Sequence, residues 1–161
     1  MAVREILLLG NEALYKTSQE VQKDQLDKAA QVIQDLNDTM TIFIKEHGFG
    51  RAIAAPQIDE AFRIIYFNLG DRIHHFINPV LTFPDDETFM MWDDCMSFPG
   101  LEVYLKRHKR CHIAYKNLDW DDCEITFEGD LSELFQHEYD HLDGILAVQR
   151  AENLKSFRYK K

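Results

Sequence analysis

His137-Glu138-Tyr139-Asp140-His141 places two imidazoles four residues apart with a carboxylate beside the first. On a helix, positions i and i+4 lie one turn apart on the same face, so both rings can reach a single metal ion. Glu138 then stands where it can accept a proton from water held at that ion. HExxH also arises by chance on polar helix faces. Here it sits between Phe135 and Leu142, in a segment patterned as an amphipathic helix, which favours the metal reading. A catalytic ion of this kind needs a third protein ligand and one open position. No further histidine follows at the spacing of the extended HExxHxxGxxH pattern, and His47, His74, His75, His108 and His112 show no ligand spacing. Cys95, in the string WDDCMSFPG, would complete a Cys-His-His set, although the commoner role of such a cysteine is that of a small buried hydrophobe.

The elements that must hold these residues are legible in outline. Leu26, Ala29, Ile33, Leu36, Met40 and Phe43 recur at three- and four-residue steps and predict a long helix over 26–47, ended by Gly48 and Gly50. The stretch 48–57, GFGRAIAAPQ, predicts a loop or extended segment lying close to another surface. Short β-rich runs follow at 62–68, 75–81, 88–92, 103–105, 111–116 and 123–127, separated by turn residues, as in antiparallel sheet. A turn at 117–121 would pair Cys123 with a residue near Tyr115. The second long helix starts near Asp130, with Asp130 as its cap and Glu133 completing a capping box, and stops at Gly144. Residues 151–159 are read as a last short helix. The order helix, strands, helix predicts an α+β fold with antiparallel sheets around a central HExxH helix.

Composition sets the boundaries. A chain of 161 residues fits one domain, 1–161, large enough to bury a core without a disulfide scaffold. Eighteen Lys and Arg face 28 Asp and Glu, for a net charge of −10, which argues against nucleic-acid specificity. No apolar run is long enough to span a bilayer, so the expected location is the cytoplasm. Three cysteines, Cys95, Cys111 and Cys123, are odd in number and are read as reduced thiols, the last two as packing residues. Basic residues gather near the C-terminus at Arg150, Lys155, Arg158, Lys160 and Lys161. They read first as a solvated tail and second as a docking tail for an acidic surface.

Three strings taken together resemble the peptide deformylase family, whose motifs are GxGLAAPQ, EGCLS and HExDH. This chain has Gly50-Arg51-Ala52-Ile53-Ala54-Ala55-Pro56-Gln57, then Asp93-Asp94-Cys95-Met96-Ser97, then the HExxH string, in that order; VREIL at its start and INPVL at 77–81 also look like the family. The resemblance implies that Cys95, His137 and His141 bind one divalent ion. Fe2+ is the expected ion in cells, with Zn2+, Ni2+ or Co2+ able to occupy the site. It further implies that Glu138 is the general base and later the general acid, and that the Gln57 amide and the Met96 backbone N–H stabilise the oxyanion. The implied reaction is removal of formyl from N-formylmethionine at the start of new polypeptides. The partners are then N-formylated peptides or nascent chains, with a weak ribosome contact through the basic C-terminal tail.

The departures from the family pattern lie in the site. Ala52 replaces the second glycine of the first motif and would narrow the wall formed by Gly50, Ala52 and Ile53, which are expected to line the substrate. Asp93 replaces a glutamate that pairs in the family with an arginine, here Arg107. Asp94 replaces a glycine, and its charge is expected to bear on substrate choice, favouring basic peptides. Asp140 is expected either to bond a ligand imidazole or to face solvent. The alternatives to a deformylase are a related amide hydrolase with a different N-acyl specificity and a non-catalytic binder of acylated N-termini.

Overall fold

The computed structural model describes residues 2–161. Helix α1, Leu26–His47, buries the predicted stripe Ala29, Ile33, Leu36, Met40 and Phe43. It ends where Gly48 takes a left-handed φ of 78° and its N–H closes on the Ile44 carbonyl at 2.8 Å. Seven strands precede the second helix: β1 Ala52–Ala54, β2 Ile64–Asn68, β3 Ile73–Thr82, β4 Thr88–Asp93, β5 Leu101–His108, β6 Arg110–Lys116 and β7 Asp122–Glu128. Helix α2, Asp130–Leu142, carries HExxH, and β8, Phe157–Tyr159, follows it. All pairings between strands are antiparallel, in one sheet of order β1-β2-β3-β6-β7 and another of order β4-β5-β8. Tyr115 faces Cys123 across the β6–β7 hairpin, the register read from the turn at 117–121.

The larger sheet has a helix against each face, which explains the unbroken apolar run IIYF in β2. Ile64 and Tyr66 join Ile53 in the core under α1. Ile65 and Phe67 point the other way and pack with Ala52, Ala54, Phe76, Phe127 and Phe135 of α2. Phe135 meets Phe76 edge to face at 5.0 Å, a contact worth about 0.5–1.5 kcal/mol beyond its buried area. The smaller sheet closes the other side through Cys95, Phe98, Val103, Leu105 and Ala147. The segment before α1 ties the site loops to the core: Leu7 N–H bonds the Gln57 carbonyl and Leu9 N–H bonds the Ser97 carbonyl, each at 2.8 Å.

Two expectations change. Residues 151–159 hold no helix; a turn through Asn153–Ser156 leads into β8, which pairs with the edge of β5. A helix so short gains little by itself, whereas Phe157, Arg158 and Tyr159 gain a ladder against an open strand edge. At the start of α2 the cap is Gly129, not Asp130, and no side chain caps it. Asp130 is the first helical residue, where its charge still favours the helix dipole. Glu133 therefore lies one position too late for a capping box and is drawn instead to Arg51, 2.9 Å away.

Beyond α2, Gly144 takes φ +72°, and a Cβ there would collide with the Tyr15 carbonyl. Gly144→Ala is expected to cost about 2 kcal/mol or more in urea unfolding, from backbone strain plus the clash. Gly70→Ala, at φ +88° with nothing near the added carbon, should cost only the backbone strain, about 1–2 kcal/mol.

Candidate metal centre and cleft

Helix α2 is polar in composition yet buried over most of its circumference. Such a helix is stable only if its polar groups find partners. Gln136 accepts from the His108 N–H at 2.9 Å and donates to the His108 carbonyl at 2.8 Å, and Ser132 donates to the same carbonyl. Asp140 bonds Arg107 at 2.7 Å and Arg150 at 2.6 and 2.8 Å. It thus neither touches a ligand imidazole nor faces solvent, because two arginines from flanking elements converge on it. Glu138 is only 4% exposed, and its Oε2 has no partner.

Cys95, on the turn after β4, meets this helix. The ligand atoms of Cys95, His137 and His141 all lie within 4.8 Å of one another, and all three residues are buried. Cys95 Sγ is 3.4 Å from His141 Nε2. His137 Nδ1 lies 2.8 Å from Asp93 Oδ2. Burial works to raise the Asp93 carboxyl, but His137 and Arg107 outweigh it and keep the group ionised. An ionised Asp93 can only accept, so Nδ1 donates to it and Nε2 is the nitrogen turned to the cluster. Burial works to lower His137, yet Asp93 and Cys95 hold it well above the ordinary imidazole range. Burial and the neighbouring His137 push His141 well below that range, so it stays a neutral donor. One thiolate and two imidazoles, with the orphaned Glu138 oxygen beside them, fit a borderline-soft divalent ion with a position left open.

Gln57 sits in a tight turn, Ala55–Ile58, directly after β1. Its Oε1 accepts from the Ala54 N–H at 2.9 Å, which fixes the amide the other way round. Nε2 therefore faces Ser97 Oγ at 3.1 Å and Cys95 Sγ at 3.6 Å. Ser97, to which the sequence assigns no role, holds the Cys95 sulfur and the Gln57 amide together, through its N–H 3.4 Å from Cys95 Sγ and its hydroxyl 3.1 Å from Gln57 Nε2. Burial and the Asp93 charge raise Glu133 to about 7, with Arg51 opposing them. Burial likewise raises Glu138 to about 7, a value from which a carboxyl can both take and return a proton near neutrality.

A cleft of about 390 Å³ opens onto Cys95, His137 and Glu138, while Gln57 and His141 lie behind its lining. Gly50, Ala52, Asp93, Asp94, Cys95, Met96, His137 and Glu138 line it. Ile53 does not: strand alternation turns its side chain into the core under α1, leaving only its backbone for a ligand. Gly50 has φ +133°, and an added Cβ would press on Ile44 at 3.2 Å. Arg107 bonds Asp93 at 3.1 Å, the pair expected from the motif. Asp94 is paired with Lys160, so its carboxylate is not a bare charge at the entrance.

Arg107 is buried between two carboxylates, and losing it takes a buried cation from both, leaving Asp93 to His137 and Asp140 to Arg150. Arg107→Gln is expected to cost about 3–5 kcal/mol in urea unfolding. Asp94→Asn, at a half-exposed pair, should stay within about 1 kcal/mol of the parent.

A family model described as polypeptide deformylase matches residues 3–157. Peptide deformylase 1 of Prochlorococcus marinus (strain MIT 9313) is 35% identical over 170 residues, covering 99% of this chain and 86% of that protein. Peptide deformylase 2 of Clostridium perfringens (strain 13 / Type A) is 35% identical over 156 residues, covering 96% of each. The crystal structure of peptide deformylase from Thermotoga maritima superposes with a TM-score of 0.84 at 30% identity, covering 95% of this chain and 100% of that one. With a match over nearly its full length and relatives of this identity and coverage, the chain belongs to the polypeptide deformylase family.

Proposed function

We propose that this protein is a metal-dependent hydrolase that removes the formyl group from N-formylmethionine at the N-terminus of new polypeptides. The observation that carries the reading is the cluster of Cys95, His137 and His141, with Glu138 beside it, Gln57 Nε2 3.6 Å from Cys95 Sγ, and a cleft lined by Cys95, His137 and Glu138, in a chain of this family. Cys95, His137 and His141 would hold the ion, which supplies Lewis acidity toward the formyl carbonyl and toward water. Fe2+ is the proposed ion in cells; a thiolate with two imidazoles also suits Zn2+, Ni2+ and Co2+.

The chain's own groups supply the rest. Glu138 takes a proton from the attacking water and returns one to the departing amine, so that formate and a free N-terminus result. The Gln57 amide, locked by Ala54, offers Nε2 to the developing oxyanion, joined by the Met96 backbone N–H. Asp93 keeps His137 oriented throughout. The Ala52 methyl on the cleft wall supports a small acyl group over a longer one.

The proposed site of action is the cytoplasm, on nascent chains; no helix among the described residues is long and apolar enough to cross a membrane. Arg150, Arg158 and Lys160 are each paired with a carboxylate of this chain, so a weak ribosome contact would fall to the exposed Lys155 and Lys161.

The test is release of the free N-terminal amine from N-formylmethionyl and N-acetylmethionyl tripeptides, with formate or acetate as the co-product, by protein loaded anaerobically with Fe2+. Turnover is expected with the formyl peptide. Glu138→Ala should retain the ion and lose about 10²–10⁴ in kcat. Gln57→Ala should lose about 10²–10³ in kcat, and Cys95→Ala should fail to retain the ion. Folded, ion-loaded protein that releases no formate would overturn the reading, and turnover of the acetyl peptide alone would point to another acyl specificity.

A further inference from the structure

The entrance of the cleft has two walls from distant parts of the chain. Phe49 and Gly50 come from the loop after α1, and Asp94 comes from the turn after β4. Lys160 reaches both. Its ammonium pairs with the Asp94 carboxylate and lies 3.7 Å from the centre of the Phe49 ring. Phe49 is itself seated edge-on against Phe43 of α1 at 5.1 Å.

Lys160 is delivered to this position by the fold and is not a stray tail residue. Strand β8 pairs with β5 in the register Leu101 with Tyr159, and the Lys160 N–H bonds the Gly100 carbonyl at 2.8 Å. Beside it Arg158 bonds Glu102 at 3.1 Å and lies 3.9 Å over the Trp92 ring. These contacts fix the backbone leading up to the ammonium-bearing residue. Asp94 and Lys160 keep 41% and 30% of their side chains exposed, whereas Cys95, His137 and Glu138 are buried. The pair therefore marks the outer end of the cleft. A peptide whose first residue occupies the buried end must carry its next side chain past it.

We propose that Lys160 is a specificity-determining residue of this enzyme. It sets the charge preference of the cleft entrance by cancelling Asp94 and holding it against the Phe49 wall. A carboxylate alone at this point would attract basic peptides and repel acidic ones. Paired with an ammonium in contact, it presents little net charge to a passing side chain. An unpaired Lys160 would bias the entrance the opposite way. The contact with Phe49 adds an attraction between cation and ring that holds the ammonium between Asp94 and Phe49, two residues that line the cleft.

This inference rests on the deformylase reading, and its test separates the two. The quantity to measure is the ratio of kcat/KM for formyl-Met-Lys-Ser over formyl-Met-Glu-Ser, in the Fe2+ enzyme at low salt. Lys160→Met keeps the aliphatic stem and removes the charge; it should raise the ratio about fivefold over the parent. Asp94→Asn should lower it by about the same factor. The double variant should return to within about twofold of the parent, and both single shifts should shrink at high salt. Formyl-Met-Ala-Ser turnover by each variant confirms that it is folded and loaded. A ratio unmoved by both single changes, or a Lys160→Met shift that Asp94→Asn does not cancel, would overturn the proposal while leaving the deformylase reading intact. Absence of formate release from every peptide would overturn both.

Discussion

The arrangement depends on one buried carboxylate. Asp93 closes the last position of β4 and accepts from His137 at 2.8 Å and from Arg107 at 3.1 Å. It thereby joins the smaller sheet to α2 at the point where Cys95, His137 and His141 meet. Arg107 continues to Asp140 at 2.7 Å, and Asp140 to Arg150. From the cleft outward, charges alternate in sign, through His137, Asp93, Arg107, Asp140 and Arg150. No single pair in such a row repays its own desolvation generously. The alternation works because Asp93, Arg107 and Asp140 each have an opposite charge on both sides, and the row ends at the half-exposed Arg150; within it Arg107 Nε lacks a hydrogen-bond partner. The replacement of a longer acid by aspartate at position 93 is accommodated without loss of either contact.

That row explains how a helix as polar as α2 can lie between two sheets. Gln136, Ser132, Glu133 and Asp140 each spend their hydrogen-bonding capacity on a neighbouring strand or arginine. What remains unmatched on the helix lies beside the cluster: the Oε2 of Glu138 and the Nδ1 of His141. With that Nδ1 unpartnered, the second imidazole is held by packing and its i+4 relation to His137, not by a carboxylate of its own.

The cleft entrance follows a different logic. Its contacts are half-exposed and come from segments far apart in sequence, the loop after α1, the turn after β4 and the residue after β8. Exposed pairs of this kind add little to stability. They can still fix which charges a substrate meets, because they stand where a peptide must pass. The burial gradient thus divides the work: the inner charge row holds geometry, and the outer pair filters what approaches.

The sequence by itself determined the chemistry and most of the elements. HExxH on a periodic segment, Cys95 in its string and Gln57 at the end of the small-residue stretch each rest on local spacing, which a helix or a turn converts directly into geometry. The boundaries of α1 and the Tyr115–Cys123 register were legible for the same reason, since periodicity and turn residues act over a few positions. Residues whose roles are set by distant partners were not legible. Asp140 is held by arginines from β5 and from the segment after α2; Glu133 answers to Arg51 instead of capping its own helix; Ile53 is turned from the cleft by a core on the far side of its strand. The segment 151–159 chose a strand because β5 offered it an edge, and only that pairing brings Lys160 to Asp94. Local energetics name the reacting groups, whereas long-range pairing and burial decide which charges they meet, because a charge is matched by what lies beside it in space and not by what lies beside it in the chain.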